Sequence, residues 1–320
     1  MKKLFIMGLA AMGLALTACN SDETVEMAKG KAIGFSSFVD KSTRATDVTL
    51  ANLGSIEVYG WRGDHQIFDK QQVTINAESG EGTYSPIQYW EAKNTYNFEA
   101  IAPKNGDKGV TFAANVNGGT ITFANDAQTD LIYAKAKETT TLANITTTDP
   151  GKVNFTFKHQ LARVKFTFKN TFPADAAAKI SVKDVKITNA YKNGTLATPA
   201  AANAKWNATD NTLNVAFAST DVKDLAAGGN SAATEHHYLI PTGNENEYTV
   251  TFSVVLDQNG AKTTYNHTVK FTTTQEQGKS YNYVAEIGAS NINPDSQLYP
   301  IEFKATVDSW ESVDDVTIKQ

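Results

Sequence analysis

Past Lys29 the chain alternates apolar and polar residues over short runs, and no segment carries a sustained 3.6-residue apolar stripe. That period-2 pattern predicts strands, not helices. In the first half the candidates are Ile56 to Trp61, Tyr96 to Ala102, Thr120 to Ala124 and Leu131 to Ala134. Val153 to Lys169, Ile180 to Thr188, Leu213 to Phe217, Tyr238 to Ile240, Tyr248 to Leu256, His267 to Thr272 and Tyr281 to Ile287 continue the series. Turn signals such as Asn117-Gly118-Gly119 and Asn259-Gly260 separate them. Short strands at this spacing predict an all-β protein of two tandem β-sandwiches.

The boundary between the sandwiches is placed near the threonine-rich stretch Thr139 to Pro150, which ends in an Asp-Pro-Gly turn. Just beyond it Val153, Phe155, Phe157 and His159 share one parity, whereas Val164, Phe166 and Phe168 share the other. A strand cannot change parity without a bulge or a change of sheet, so the slip between Gln160 and Arg163 predicts a crossing from one sandwich to the next. The divisions drawn are 1–18 as signal peptide, 19–45 as an N-terminal segment with a first strand, 46–155 and 156–298 as the sandwiches, and 299–320 as a tail.

Two further alternations mark the ends. Ile33, Phe35, Ser37 and Val39 share a parity, and so do Ile301, Phe303, Ala305 and Val307. Both segments would span about 23 Å as strands, so one could replace the other in a single groove, or both could be permanent strands of one monomer.

Lys2 and Lys3 precede an apolar run from Leu4 to Leu16, too short to span a bilayer about 30 Å thick but suited to an export signal. Leu16-Thr17-Ala18-Cys19 resembles a bacterial lipobox, which implies a lipid on Cys19, the only cysteine in the chain. The acidic run Asn20-Ser21-Asp22-Glu23 that follows resembles the surface-export tag of Gram-negative lipoproteins. The expected location is therefore the outer face of the outer membrane. With 41% hydrophobic and 20% charged residues the rest is ordinary globular composition, and a net charge of -5 argues against nucleic acid as a partner.

Catalytic chemistry is hard to find. Gly278-Lys279-Ser280 lacks the earlier glycine of a phosphate-binding loop, because position 273 is Thr273. His236 and His237 are neighbours that a strand would point to opposite faces, and His159 sits on the apolar parity of its strand as a core histidine. No nucleophile elbow or paired carboxylates stand out, so neither enzyme activity, cofactor nor metal is expected. Trp61, Trp90, Trp206 and Trp310 could form a glycan-stacking platform or simply pack.

Several ordered blocks resemble the fimbrillin family of type V (FimA/Mfa-like) pilus subunits. They are Leu131-Ile132-Tyr133-Ala134, the run Val153 to Val164, Val185-Lys186-Ile187 with Tyr191-Lys192-Asn193-Gly194, Tyr238-Leu239-Ile240-Pro241, Gly278 to Tyr283, and Val307-Asp308-Ser309-Trp310. The resemblance implies transthyretin-like sandwiches, export as a lipoprotein and polymerisation with other fimbrillin subunits as a homo- or hetero-polymer. It also implies that an arginine-specific protease removes the lipidated N-terminal segment, so that a neighbour's C-terminal strand enters the vacated groove by β-augmentation.

Carried onto this sequence, the cleavage site is Arg44-Ala45 in the polar stretch Lys41 to Thr46, and the displaced strand carries Ile33, Phe35, Ser37 and Val39. The donor strand carries Ile301, Phe303, Ala305, Val307 and Trp310, with a further short pattern at Val316 and Ile318. The competing expectation is a monomeric outer-membrane lipoprotein that binds glycans or host ligands. An adhesion ligand on a host or bacterial surface is a partner under either.

Overall fold

A computed structural model describes residues 31–39, 47–136, 139–140, 151–198, 204–218, 222–296 and 298–310, and among them regular structure is all strand. Cys19, Arg44, Ala45, Val316 and Ile318 lie outside the described residues.

The first unit is a closed circuit. Ser55–Arg62 pairs with His65–Ile75, and the order continues through Glu81–Thr83, Gly34–Val39, Lys152–His159, Ile132–Lys135 and Thr95–Ala102. Thr95–Ala102 then pairs back onto Ser55–Arg62, while Thr139–Thr140 hangs on its far end. Inward residues of alternate parity, among them Phe35, Val58, Phe68, Val73, Phe98 and Phe155, fill one core. The two faces of this sandwich are thus joined at both edges, and Gly34–Val39 closes one of those joins.

The second unit is an open sandwich. One sheet runs Ser231–Ala233, Ala162–Asn170, Lys279–Ile287, Phe303–Ser309, with His237–Leu239 also paired to Ala162–Asn170. The other runs Leu213–Phe217, Ala178–Ala190, Glu245–Gln258, Ala261–Thr274. The last two form a long hairpin whose turn residues Asn259 and Gly260 have φ of 54° and 89°. That left-handed pair suits the right-handed twist of the flanking strands, as the Asn-Gly signal predicts. Phe166, Phe168, Phe217 and Phe252 lie in the core between the sheets.

Parity explains where the chain changes unit. Lys152–His159 alternates exposed and buried and ends on buried His159, whereas Ala162–Asn170 begins on buried Ala162. The predicted slip is therefore a change of sheet at Gln160-Leu161. All of Lys152–His159 belongs to the first unit, so the division drawn at 155/156 is corrected to the Gln160-Leu161 crossing.

The halves are also less separate than a tandem array. A four-stranded sheet runs Asn207–Thr209, Asn193–Ala197, Thr120–Ala124, Val110–Ala113, so each half supplies two neighbouring strands. Tyr59, Phe112, Phe123, Leu161, Trp206 and Tyr238 form a third core beneath it. Buried apolar area of this kind stabilises the junction itself, by roughly 1.5–3 kcal/mol for each large side chain.

Candidate functional site in the groove of the first strand

Gly34–Val39 lies between two strands that are remote from it in sequence. It runs parallel to Lys152–His159, with Phe35 opposite Val153, Ser37 opposite Phe155 and Val39 opposite Phe157. On its other side it is antiparallel to Glu81–Thr83, with Phe35 opposite Gly82 and Ser36 opposite Glu81. Ile33 (1% exposed), Phe35 (1%), Ser37 (2%) and Val39 (4%) all point inward, as their shared parity predicts, while Phe38 is 56% exposed.

Phe35 is the anchor. Its ring lies 5.3 Å from Phe68, 5.2 Å from Tyr84, 5.9 Å from Phe98 and 5.8 Å from Phe155. Gly82 makes the fit feasible, because a Cβ there would fall 2.5 Å from Val73 Cγ1 and 3.2 Å from the Cβ of Phe35. The backbone is tied on both sides: Ser37 N–H donates to Gly80 O at 2.8 Å, Ile33 N–H to Gln88 O at 2.9 Å, and the Tyr84 hydroxyl to Ile33 O at 2.7 Å. Inside this seat the buried Ser37 hydroxyl makes no hydrogen bond. Above it, on the solvent face, Lys152 and Glu81 form an ion pair across the strand.

Without this strand the circuit opens. Lys152–His159 and Glu81–Thr83 would each present an unpaired backbone edge, flanking a trench floored by Phe68, Phe98 and Phe155. Bare strand edges over an apolar trench recruit another strand.

The chain re-enters the described residues at Asp47, which is fully buried. Its carboxylate accepts from the Arg163 guanidinium, from the Tyr238 hydroxyl at 2.9 Å and pairs with His236 Nε2 at 3.2 Å. Next to it, Val48 N–H donates to Asp130 Oδ2 at 2.9 Å, and Asp130 also pairs with His159 Nδ1 at 3.0 Å. A buried carboxylate is tolerable only with such partners, so Asp47 and Asp130 pin the chain just past residue 46.

The tail residues are docked in the chain's own second unit. Phe303–Ser309 is the edge strand beside Lys279–Ile287, Ile301 is 4% exposed, and the ring of half-buried Phe303 lies 5.1 Å from Phe166 and 5.3 Å from Phe271. Ala305 is exposed and Val307 is 51% exposed, although they share the parity of Phe303. Trp310, 2% exposed, ends the described chain in the third core, and its backbone N–H donates to Gly278 O at 3.0 Å.

The fimbrillin-like family profile matches residues 43–310 of the 320. The chain belongs to the fimbrillin-like family. A solved structure of a candidate cell adhesion protein from Bacteroides uniformis shares 18% identity, covering 87% of this chain and 99% of that chain with a TM-score of 0.50. Another, from Bacteroides ovatus, shares 17% identity over 89% and 99% with a TM-score of 0.51. At such identities the likeness shows a shared fold. No curated protein matches the chain.

In this fimbrillin-like chain the four tryptophans follow the packing reading, not the platform. Trp61, Trp90, Trp206 and Trp310 are each 5% exposed or less, and Trp206 Nε1 donates to Gln160 O at 2.7 Å. Trp61 lies on a strand, whereas Trp90, Trp206 and Trp310 lie just outside strands and pack into the first and third cores. His236, just before the strand His237–Leu239, turns to Asp47, and His237 turns to Ala127 O at 3.1 Å, so the two do not share a site. His159 is the buried core histidine that its parity predicts. Asp47 and Asp130 carry no motif, and sequence reasoning missed them.

Proposed function

We propose that this chain is a polymerising subunit of a surface pilus, exported as a lipoprotein through Cys19 and activated by cleavage between Arg44 and Ala45. Membership of the fimbrillin-like family supports the fimbrial role. The observation that carries the mechanism is the seat of Gly34–Val39, a strand that closes the first unit yet lies wholly upstream of the cleavage site. Cleavage separates it covalently from a body that Asp47 and Asp130 hold in place. The strand then leaves, and the C-terminal strand of a neighbouring subunit takes its seat, its apolar side chains entering the pockets and its backbone completing the ladder.

Before processing the chain is anchored to the outer membrane by its lipid, and afterwards it is part of the fimbrium. The tail strand must peel from its own edge to serve as donor: only one ladder has to break, while Ile301 and Trp310 have to leave their buried seats. The reading of a monomeric glycan- or host-ligand-binding lipoprotein loses its main support with the burial of the four tryptophans. Arg44→Ala tests the proposal: full-length acylated protein should accumulate on cells without fibres. Fibre formation by this variant with an intact N-terminus would remove Arg44 from the mechanism.

A further inference from the structure

The first strand and the tail carry more than a common parity. Ile33-Gly34-Phe35-Ser36-Ser37-Phe38-Val39 and Ile301-Glu302-Phe303-Lys304-Ala305-Thr306-Val307 have the same residue at three of the four inward positions, and a serine against an alanine at the fourth. We infer that the groove of this chain is built for the tail of a second copy of the same chain, in the register that puts Ile301, Phe303, Ala305 and Val307 where Ile33, Phe35, Ser37 and Val39 sit. The inference rests on the strand-exchange reading above and adds the partner and the register.

The differing positions favour the incoming strand on balance. Against it, the Cβ of Glu302 would sit 3.1 Å from Lys152 Cγ, on a flexible side chain that can give, and the Ser36 hydrogen bond to Asn154 would be given up. Ser37 buries a hydroxyl with no partner, and Ala305 would fill that place without one. Gly34 lies opposite Lys152, so Glu302 would meet a lysine. Ser36 lies opposite Glu81, so Lys304 would meet a carboxylate. The Lys152–Glu81 pair that now bridges the strand would thus be replaced by two pairs of the right sign. Phe38 is 56% exposed at the position that Thr306 would take, which removes an apolar ring from the surface. Val307 is 51% exposed on its own sheet but would be buried in the seat of Val39, which is 4% exposed. The order of side chains requires the donor to run parallel to Lys152–His159, as the resident strand does. Shifting the register by one residue would turn Glu302, Lys304 and Thr306 into the core.

Four substitutions, Gly34→Glu, Ser36→Lys, Ser37→Ala and Phe38→Thr, convert the resident strand of the full chain into the tail sequence. The variant should melt no lower than the wild type, with amide protection of Lys152–His159 retained. A melting temperature many degrees lower, or loss of that protection, would overturn the register whether or not the protein polymerises. The partner is tested by charge reversal in assembly of the processed protein. Lys304→Glu and Glu81→Lys should each slow assembly, roughly two- to fivefold, and the chain carrying both should recover. If wild-type fibres form and the double variant is slowed additively, self-donation in this register is wrong. If wild-type protein forms no fibres, the strand-exchange reading fails, while the melting of the four-substitution variant still decides whether the groove accepts the tail.

Discussion

The indole of Trp310 lies parallel to the imidazole of His159, with ring centroids 4.1 Å apart and planes 6° from coplanar. Tyr238 is nearly parallel to the same indole at 5.4 Å, and the Arg163 guanidinium lies 5.3 Å from its ring centre. All three groups are held in turn by the pair of buried carboxylates, Arg163 and Tyr238 by Asp47 and His159 by Asp130. The residue that follows the tail strand is therefore seated on groups fixed by the segment that begins at Asp47. Tail and Asp47 segment meet in one buried cluster.

Trp310→Ala should cost about 3–5 kcal/mol of stability, as for other buried aromatic truncations. Its local signature is amide exchange, which should accelerate in Phe303–Ser309 well before it does in the hairpin Glu245–Gln258 and Ala261–Thr274. Asp47→Asn should act in the same direction through Arg163 and Tyr238. Uniform acceleration along the chain would show that Trp310 has no special hold on the tail.

Gly82→Ala should weaken the seat of the first strand. The added Cβ would meet Val73 and Phe35 at 2.5 and 3.2 Å, an overpacking that costs roughly 1–3 kcal/mol. Thermal unfolding of the unprocessed chain measures it. Ala at Gly106, whose Cβ would meet nothing within 4 Å, is no packing control, because φ there is 83° and strains any side chain. An unchanged melting temperature for Gly82→Ala would mean that the glycine is not what lets Phe35 approach.

Glu99 gives a pH dependence of known sign. It is 1% exposed, and burial pushes its carboxyl up from 4.5 to about 7, against the pull of Lys135 at 4.0 Å. The native state thus holds this proton more tightly than the unfolded chain, so its contribution is most favourable below about pH 4.5 and is lost progressively up to about pH 7. Glu99→Gln should melt close to wild type near pH 4.5 and increasingly above it as pH rises to about 7, the difference levelling off at higher pH. A melting difference that is flat across this window would contradict a protonated, buried Glu99.

Much of the fold was legible because half-buried strands write their parity into sequence. Thr120–Ala124 and Leu213–Phe217 match their predicted bounds, and the slip at Gln160-Leu161 marks a real change of sheet. His65–Ile75 was not legible: its run Asp69-Lys70-Gln71-Gln72 is polar, and its pairing shifts register between Gln71 and Phe68, with Lys70 at a φ of 51°. The shared four-stranded sheet was hidden because pairing between Thr120–Ala124 and Asn193–Ala197 is a long-range choice that alternation alone does not encode. In the site, the inward residues of the first strand were readable from spacing, whereas the docking of Phe303–Ser309 on its own unit depends on which edge is free.

The most direct test of strand exchange is the intact mass and N-terminal sequence of the protein recovered from assembled fibres. The account predicts a chain that begins at Ala45, without the lipid and without Gly34–Val39. Fibres whose subunits still begin at acylated Cys19 would contradict it.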